Sequence, residues 1–477
     1  MVPAPADTDS AADEPSGDPP RGFRPDTAVA SVVRPGGSKS IGQRVVACAA
    51  LSAGRTRVEG LPSTGDVLAA LRCARAAGTR FPTDGKPDDL LATALVARGA
   101  PGVLEGAPPG PREAERRWAT FPVGESGTSA RIFAAVGALG RPPGSGCELK
   151  PSGTLRRRSS PALFDALRRA GAGVQHARDA QANSFEVALT AATPPRAVEL
   201  QHPVSSQEAS ALLIALACHE GPRDLLVVGD VPSRPYLDLT LRVLERFGVL
   251  VTEQPVRGDG HGHGGTRFTI TGPLRSPTEP VEIEPDASSA ATALVAGAIR
   301  GTSVTVPGIG TRSGQPDARA VPRALALAGC RDDSSHGSAL VVEGRASRGF
   351  EFDCTACPDL APPLAALAAF VARTHGEASR LTGLGTLPGK ESSRIEVLAR
   401  GLQTLGYDAT ATDASLLVAP PGAAVAGEHV LDPEGDHRMA FAFALLSLFE
   451  PGVQVADPGC VKKSWPTFWS DLVSHDD

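Results

Sequence analysis

Cations and hydroxyls stand in short clusters ahead of apolar runs in this sequence. Lys39, Ser40 and Arg44 lie in RPGGSKSIGQR, and Gly127, Thr128 and Arg131 in SGTSAR. Ser205, Ser206 and Gln207 follow in VSSQ, and Asp436, His437 and Arg438 in GDHRMA. The first cluster invites comparison with a P-loop, which needs Gly-x-x-x-x-Gly-Lys-Ser/Thr so that backbone N–H groups wrap the phosphates. With Lys39 as the lysine, the two glycine positions hold Val33 and Ser38, so the match fails at both. What remains is a helix start suited to anions. Gly36 and Gly37 permit a tight turn, Ser38 or Ser40 can cap, and Lys39 and Arg44 lie near the positive end. A capped surface helix with two solvated cations would read the same way.

The elements that must position these groups recur along the chain. Small polar or acidic residues precede an Ala/Leu/Val-rich run of about four helical turns, then a Gly or Pro stop and a short apolar extended segment. Taking Ser40, Ser126, Ser205, Asp286, Asp359 and Asp436 as markers, the intervals run from 73 to 86 residues. Each unit carries a second, amphipathic helix, from GDVLAALRCARAAG in the first to SWPTFWSDLV in the sixth. The first helix of each unit is apolar nearly all round and should be buried; the second should face solvent over a sheet. A small-repeat solenoid would use a period of about 20–50 residues. A unit near 80 is a small α/β subdomain, and six of them group most simply as three and three. The clusters then fall at the starts of buried helices, where N–H groups lack partners and the dipole favours anions. So many polar groups on apolar helices are costly unless something pairs with them. That argues for a site.

Composition excludes several classes. A hydrophobic content of 41% over 477 residues indicates a globular protein with a large core. No stretch approaches the ~18 uninterrupted apolar residues of a membrane helix, and no basic-then-apolar start marks a secretory signal. With a net charge of −6, nucleic-acid binding by bulk electrostatics is not expected, so an anionic ligand needs local cations. Eight cysteines in so long a chain do not make a disulfide scaffold. Cys354 and Cys357 form one CxxC without a second pair, and His261–Gly265 (HGHGG) reads as a flexible loop rather than a metal site. Residues 1–26, rich in Pro, Asp and Ser, read as a disordered tail. A cytoplasmic, reduced protein is expected.

The stretches GSKSIGQR, SGTSAR, VSSQ, SRPYLDLTL, DASSA, PDLA, GKESSR, GDHRMA and DPGCVKKSWP, in that order, resemble the enolpyruvyl transferase family, and within it the 5-enolpyruvylshikimate-3-phosphate (EPSP) synthases. The similarity spans about Val32 to Leu472. It implies an α/β fold of two hinged domains, each of three α/β units with buried helices, an inside-out α/β barrel. The first domain would take residues 35–284 and the second 27–34 with 285–477, the chain crossing near Arg34–Gly37 and Glu284–Asp286. The implied reaction adds an acceptor hydroxyl to C2 of phosphoenolpyruvate while C3 is protonated. The resulting tetrahedral ketal collapses to the enol ether and phosphate. Such chemistry needs cations for a trianionic donor, a base for the hydroxyl and an acid for C3.

Carried over residue by residue, Lys39, Arg158, Arg394, Arg438 and Lys463 would clamp phosphoenolpyruvate, with Gly127 lining its pocket and Gln207 contacting it. The acceptor would be held by Ser40, Arg44, Ser205, Ser206, Gln207, Ser233, Tyr236, Thr386 and Lys390. Asp359 would take the acceptor proton, contacting the acceptor, and Glu391 would serve C3; with Lys39 these form the catalytic set. Asp66 and Asp286 look like supporting acids near the hinge, and Arg131 like a clamp or an interface salt bridge. Without the resemblance, Asp359 would read as a helix cap and Lys390-Glu391 as a solvated pair. No metal or organic cofactor is implied, and a monomer without nucleic-acid or membrane partners is expected.

The departures from the family pattern concern the acceptor. Lys-Ser-x-Ser-Asn-Arg reads here Lys39-Ser40-Ile41-Gly42-Gln43-Arg44, with Gly37 an extra residue. Ser159 and Ile132 replace prolines, the latter at a position associated with glyphosate response. Thr386 stands where an Asn usually touches the shikimate ring, and Ser393 where an Asp usually precedes the clamp arginine. The phosphate-facing set of Ser205, Ser206, Ser233 and Lys390 is kept, so a phosphorylated acceptor is expected, shikimate-3-phosphate first. A specialised transferase acting on another phosphorylated acceptor, such as a nucleoside monophosphate, is the alternative. UDP-N-acetylglucosamine enolpyruvyl transferases fit less well: they have Lys-Asn at Lys39-Ser40 and a loop cysteine close before the clamp arginine, whereas Cys147 lies eleven residues before Arg158. A non-catalytic relative would have lost Lys39, Asp359, Glu391 or Lys463, and all four are present.

Overall fold

The computed structural model describes residues 18–81, 102–106, 118–177, 182–257, 264–334, 337–422, 425 and 427–474. The first unit contains α1 (Lys39–Leu51), β1 (Gly54–Glu59), α2 (Gly65–Ala76) and β2 (Gly102–Gly106). The second runs β3 (Trp118–Gly124), α3 (Gly127–Leu139), β4 (Gly146–Pro151), α4 (Pro161–Arg169), β5 (Gly173–His176) and β6 (Val187–Thr190). The third repeats this order with β7 (Ala197–Gln201), α5 (Ser206–Leu216), β8 (Gly221–Val228), α6 (Arg234–Arg246), β9 (Leu250–Val256) and β10 (Gly265–Gly272). In both, the two strands flanking the buried helix pair in parallel and the last two add on antiparallel, giving β3-β4-β6-β5 and β7-β8-β10-β9.

After β11 (Val281–Glu282) the fourth unit contributes α7 (Ala287–Arg300), β12 (Val304–Pro307), α8 (Pro316–Leu327), β13 (Arg331–Asp332) and β14 (Ala339–Glu343). The fifth contributes β15 (Glu351–Asp353), α9 (Ala361–His375), β16 (Ser379–Thr382), α10 (Arg394–Thr404), β17 (Asp408–Thr412) and β18 (Ser415–Ala419), ordered β15-β16-β18-β17. The sixth is abbreviated to β19 (His429–Leu431), α11 (His437–Ser447) and β20 (Val453–Val455). Its expected second helix, over residues 464–473, is reduced to one helical turn, Phe468–Asp471, preceded by a 3-10 turn over Pro458–Lys463. Pro466 interrupts the periodicity that suggested a longer helix.

Helices α1, α3, α5, α7, α9 and α11 are buried along almost their whole length, with sheets outside them. Two hydrophobic cores result. One runs from Ile41 to Ile283; the other takes Val29 and Val33 and then Ala287 to Leu472. Helices α7, α9 and α11 pack on one another in the second core, and α3 packs on α1 and α5 in the first.

The opening strands of units one and four come from elsewhere in the chain. β11 pairs in parallel with β1, and Val32, near the N-terminus, bridges in parallel to Thr305 of β12. The two passages between the cores run side by side: Ser38 N–H donates to Glu284 O at 2.8 Å, and Asp286 N–H to Gly36 O at 2.9 Å. A Cβ at Gly37 would lie 2.0 Å from Gly60 O, so this close approach requires glycine.

Part of the expected tail, residues 18–26, is ordered against the second core. Arg21 exchanges backbone hydrogen bonds with Val455 at the edge of the β19–β20 pair, and the Phe23 ring lies 5.9 Å from Phe468 and 5.1 Å from Trp469. One aromatic and an open sheet edge suffice to order this segment. Residues 1–17 lie outside the described residues, as do His261 and His263. Cys354 and Cys357 are buried in a tight turn leading into the 3-10 turn Pro358–Leu360.

Candidate active site

The caps of the buried helices place their first residues where the two cores meet. Ser38 caps α1, Ser126 caps α3, Ser205 caps α5 and Asp436 caps α11, each accepting from a backbone N–H two or three residues on. Between them lies a cavity of about 570 Å³. From the first core Lys39, Ser40, Arg44, Gly127, Arg158, Ser205, Ser206, Gln207, Ser233 and Tyr236 line it. From the second come Asp359, Thr386, Lys390, Glu391, Arg394 and Arg438. Lys463 does not line it but stands behind Glu391, its Nζ 3.7 Å from that carboxylate and 3.2 Å from Glu125 across the cleft. Asp66 is on the wall, 3.1 Å from Lys39 Nζ. Asp286 is not: it caps α7 by accepting from Ser289 N–H at 2.9 Å, which is a structural duty.

The charges are balanced pairwise. Arg394, 1% exposed, spreads its fork over three carboxylates: Nη1 to Asp359 (2.9 Å), Nη2 to Glu391 (2.7 Å) and Nε to Asp436 (2.7 Å). Arg438 Nη2 takes the other oxygen of Asp359 at 2.9 Å. Burial pushes the Asp359 carboxyl up, but Arg438, Lys390 and Arg394 outweigh it and hold its pKa far below the usual range. Glu391 is likewise held well below its ordinary value, because Arg394, Lys463 and Arg158 overcome the burial. Lys390 is lowered, chiefly by burial. Buried His437, Nε2 3.5 Å from Lys39 Nζ, is pushed well below 6.5 by burial and by Lys39, and is neutral.

On the opposite wall two arginines have no ion pair among the described residues. The guanidinium groups of Arg158 and Arg131 close on Gly127: a Cβ there would meet them at 3.0 and 3.1 Å. Arg131 donates through Nη1 to Gly127 O and Gln207 Oε1, both at 3.0 Å. It thus belongs to the first-core wall and is not an interface salt bridge. Burial, then Arg158, lowers its pKa to about 10. The Nε atoms of both arginines and Thr386 Oγ1 are buried without a protein partner. Arg44 is more committed: Nε donates to Thr240 (2.7 Å), Nη1 to Ser40 O (2.7 Å) and Nη2 to Tyr236 O (3.2 Å). This arrangement can hold a polyanion between first-core cations and a second-core carboxylate cluster.

Sequence reasoning missed several participants. Gln43, read as a departure, ties the wall together by donating to Ser126 Oγ (2.6 Å) and Asp66 O (3.2 Å). Thr154 and Arg157 also line the cavity. Buried Glu208 accepts from Ser160 Oγ (2.5 Å) and Val204 N–H (2.9 Å), joining the segment after Arg158 to the one before Ser205. The run of three arginines from Arg156 to Arg158 was the available signal for the first group; Glu208, inside an apolar helix, was the signal for the last.

Residues 23–472 match the family model for EPSP synthase (3-phosphoshikimate 1-carboxyvinyltransferase). The 3-phosphoshikimate 1-carboxyvinyltransferase of Nitrosomonas europaea is 34% identical over 453 residues, covering 93% of this chain and 95% of that protein. The enzyme of the same name from Cupriavidus necator is 32% identical over 456 residues, covering 94% and 97%. In fold, the chain matches the EPSP synthase of Acinetobacter baumannii (TM-score 0.67, 22% identity, 94% and 96% covered). It also matches the enolpyruvyl transferase NikO of Streptomyces tendae (TM-score 0.63, 18% identity, 94% and 95% covered).

Proposed function

The chain belongs to the EPSP synthase family, and from that premise we propose how its cleft moves the enolpyruvyl group of phosphoenolpyruvate onto shikimate-3-phosphate with release of phosphate. Lys39, Arg158, Arg394, Arg438 and Lys463 clamp the donor, with Gly127 and Gln207 against it. Ser40, Arg44, Ser205, Ser206, Ser233, Tyr236, Thr386 and Lys390 hold the acceptor. The observation that carries this reading is the meeting of all these residues except Lys463, which stands just behind Glu391, around one cavity between two cores. The same reading takes 35–284 and 27–34 with 285–477 as domains that close on the ligands, and the enzyme as a cytoplasmic monomer.

Asp359 takes the acceptor proton as the acceptor oxygen bonds C2; Glu391, protonated from solvent as the donor binds, gives that proton to C3 and takes it back when the ketal collapses. Both carboxylates are ionised while the arginines pair with them. A trianionic donor draws Arg394, Arg438 and Lys463 toward itself, weakening their hold on Asp359 and Glu391, so that both carboxylates gain proton affinity as the donor binds. The preorganised cations then stabilise charge at C2 and on the departing phosphate.

The test is phosphate release from phosphoenolpyruvate with shikimate-3-phosphate and, separately, with a panel of nucleoside monophosphates. Turnover with shikimate-3-phosphate supports the reading. Silence there with release on a nucleotide would mean that the loop around Thr386 has redirected the acceptor side.

A further inference from the structure

Asp317 is a buried carboxylate that the transfer chemistry, as assigned above, leaves unused. It is the second residue of α8, 1% exposed, and it does not line the cavity. Ser288 of α7 donates to it through its hydroxyl. The Tyr236 hydroxyl lies 3.4 and 3.5 Å from its two oxygens and 3.5 Å from Asp359 Oδ2. These separations are a few tenths of an ångström longer than a formed O–H···O bond. The phenol therefore hangs between two carboxylates, one that meets the substrate and one that does not. Arg438, the cation nearest in influence, has its own contact with Asp359.

We propose that Asp317 is the proton reservoir of the reaction: the proton that the acceptor hydroxyl gives to Asp359 passes through the Tyr236 hydroxyl to Asp317 and is held there until phosphate departs. The inference rests on the enolpyruvyl-transfer reading. As the acceptor O–C2 bond forms, the hydroxyl proton moves to Asp359. Tyr236 releases its own proton to Asp317 and takes the one on Asp359, so Asp359 is charged again and Asp317 is neutral. When the C2–O bond to phosphate breaks, the proton returns along the same path and leaves on the phosphate. Both carboxylates are restored and no proton is gained or lost over the cycle.

The surroundings favour this direction. Even with the donor loosening Arg394 and Arg438, Asp359 stays nearer to these cations than Asp317, which has no ion pair among the described residues. Asp317 is pushed up to about 7, first by burial and then by the charge on Asp359, with Ser288 and Arg438 opposing and Asp286 adding to the rise. The Tyr236 phenol is raised well above 10 by burial and both carboxylates, so it relays a proton without ionising. Cys354 and Cys357 face the same region with their thiols pushed up by burial, and carry no charge. Where α8 packs on the outer strands, exposed Arg331 pairs with Glu343 (2.9 Å) and exposed Asp332 accepts from Ser334 N–H (2.8 Å).

The test is Asp317→Asn and Tyr236→Phe, assayed for phosphate release with phosphoenolpyruvate and shikimate-3-phosphate across neutral pH. Wild-type kcat should fall on the acid side of about pH 7, where Asp317 is protonated and cannot accept. D317N should lose that limb and about tenfold to hundredfold in kcat, the low end of proton-transfer effects. Its KM for both substrates should stay within about twofold, because Asp317 touches neither. Y236F should lose the same limb, and the double variant should have a kcat no lower than the worse single variant; Y236F alone carries the test if D317N does not fold. D317N with wild-type kcat and an unchanged acid limb would overturn the proposal, as would a rise in KM at constant kcat, the mark of a structural role. No phosphate release by the wild type would instead overturn the transfer reading beneath it.

Discussion

Replacing Arg394 by glutamine should weaken the second core more than any other single change at the site. The side chain is 1% exposed and neutralises Asp359, Glu391 and Asp436 at 2.7–2.9 Å. Breaking a buried ion cluster from one side costs about 3–5 kcal/mol. The lower end applies, because each carboxylate keeps another partner: Arg438 for Asp359, Lys463 for Glu391, and the Arg438 N–H for Asp436. A loss of ~3 kcal/mol corresponds to a fall in Tm of about 6–12 °C for a domain of this size. Trp465 and Trp469 both belong to the second core, so tryptophan fluorescence during urea unfolding reads the affected half. The pH dependence has a definite sign. In the wild type Glu391 and Asp359 sit below their unfolded pKa values, so their contribution is present above about pH 4–5 and fades as acid protonates them. In R394Q both carboxylates lose one of the cations that lower them, so they bind protons more readily, and the penalty grows as pH rises. The gap between the two proteins should be widest near neutrality and narrow toward pH 4–5. A gap under about 1 kcal/mol, or one independent of pH, would refute the argument that Arg394 neutralises this cluster.

Lys39→Met should leave the fold intact and lower kcat/KM at least about a hundredfold, since it removes a charge aimed at the donor; near-normal turnover would sink that role. Gly127→Ala places a Cβ 3.0–3.1 Å from the guanidinium groups of Arg158 and Arg131, which must then give way. Donor KM should rise about tenfold, some 1.4 kcal/mol, and an unchanged donor KM in steady-state assays would show that neither arginine holds it. Because donor and acceptor contacts come from both cores, calorimetry should find phosphoenolpyruvate binding about 5–150-fold tighter with the acceptor present. Equal affinity would count against closure of the domains on their ligands.

The repeated buried helices were readable because an all-apolar run between small capping residues has few other uses, and α1, α3, α5, α7, α9 and α11 lie where that pattern put them. The borrowed strands were not readable. β11 and the segment around Val32 are too short to carry a period, and only pairing across the chain reveals their sheets. Lys39, Arg394 and Asp359, which line one cavity, could be singled out because motifs in order surround them. Asp317 was hidden because an acid in the first turn of a helix ordinarily answers the helix dipole; only the distance to Tyr236 sets it apart. Phe23 escaped notice because a lone aromatic in a Pro-rich stretch says nothing until its partners Phe468 and Trp469 are known.

The pairing of Val32 with Thr305 has a consequence for synthesis of the chain. The segment that opens the fourth unit is made first and meets its partner about 270 residues later. At roughly 5–20 residues per second it waits on the order of 10–60 s. During that interval the first core can close behind it once Ile283 has emerged, leaving Val29 and Val33 as an unpaired apolar strand tethered to a finished domain. On the ribosome, this leading segment has its bridging partners, Thr305 and Val473, still to be made and is open to mispairing until they emerge.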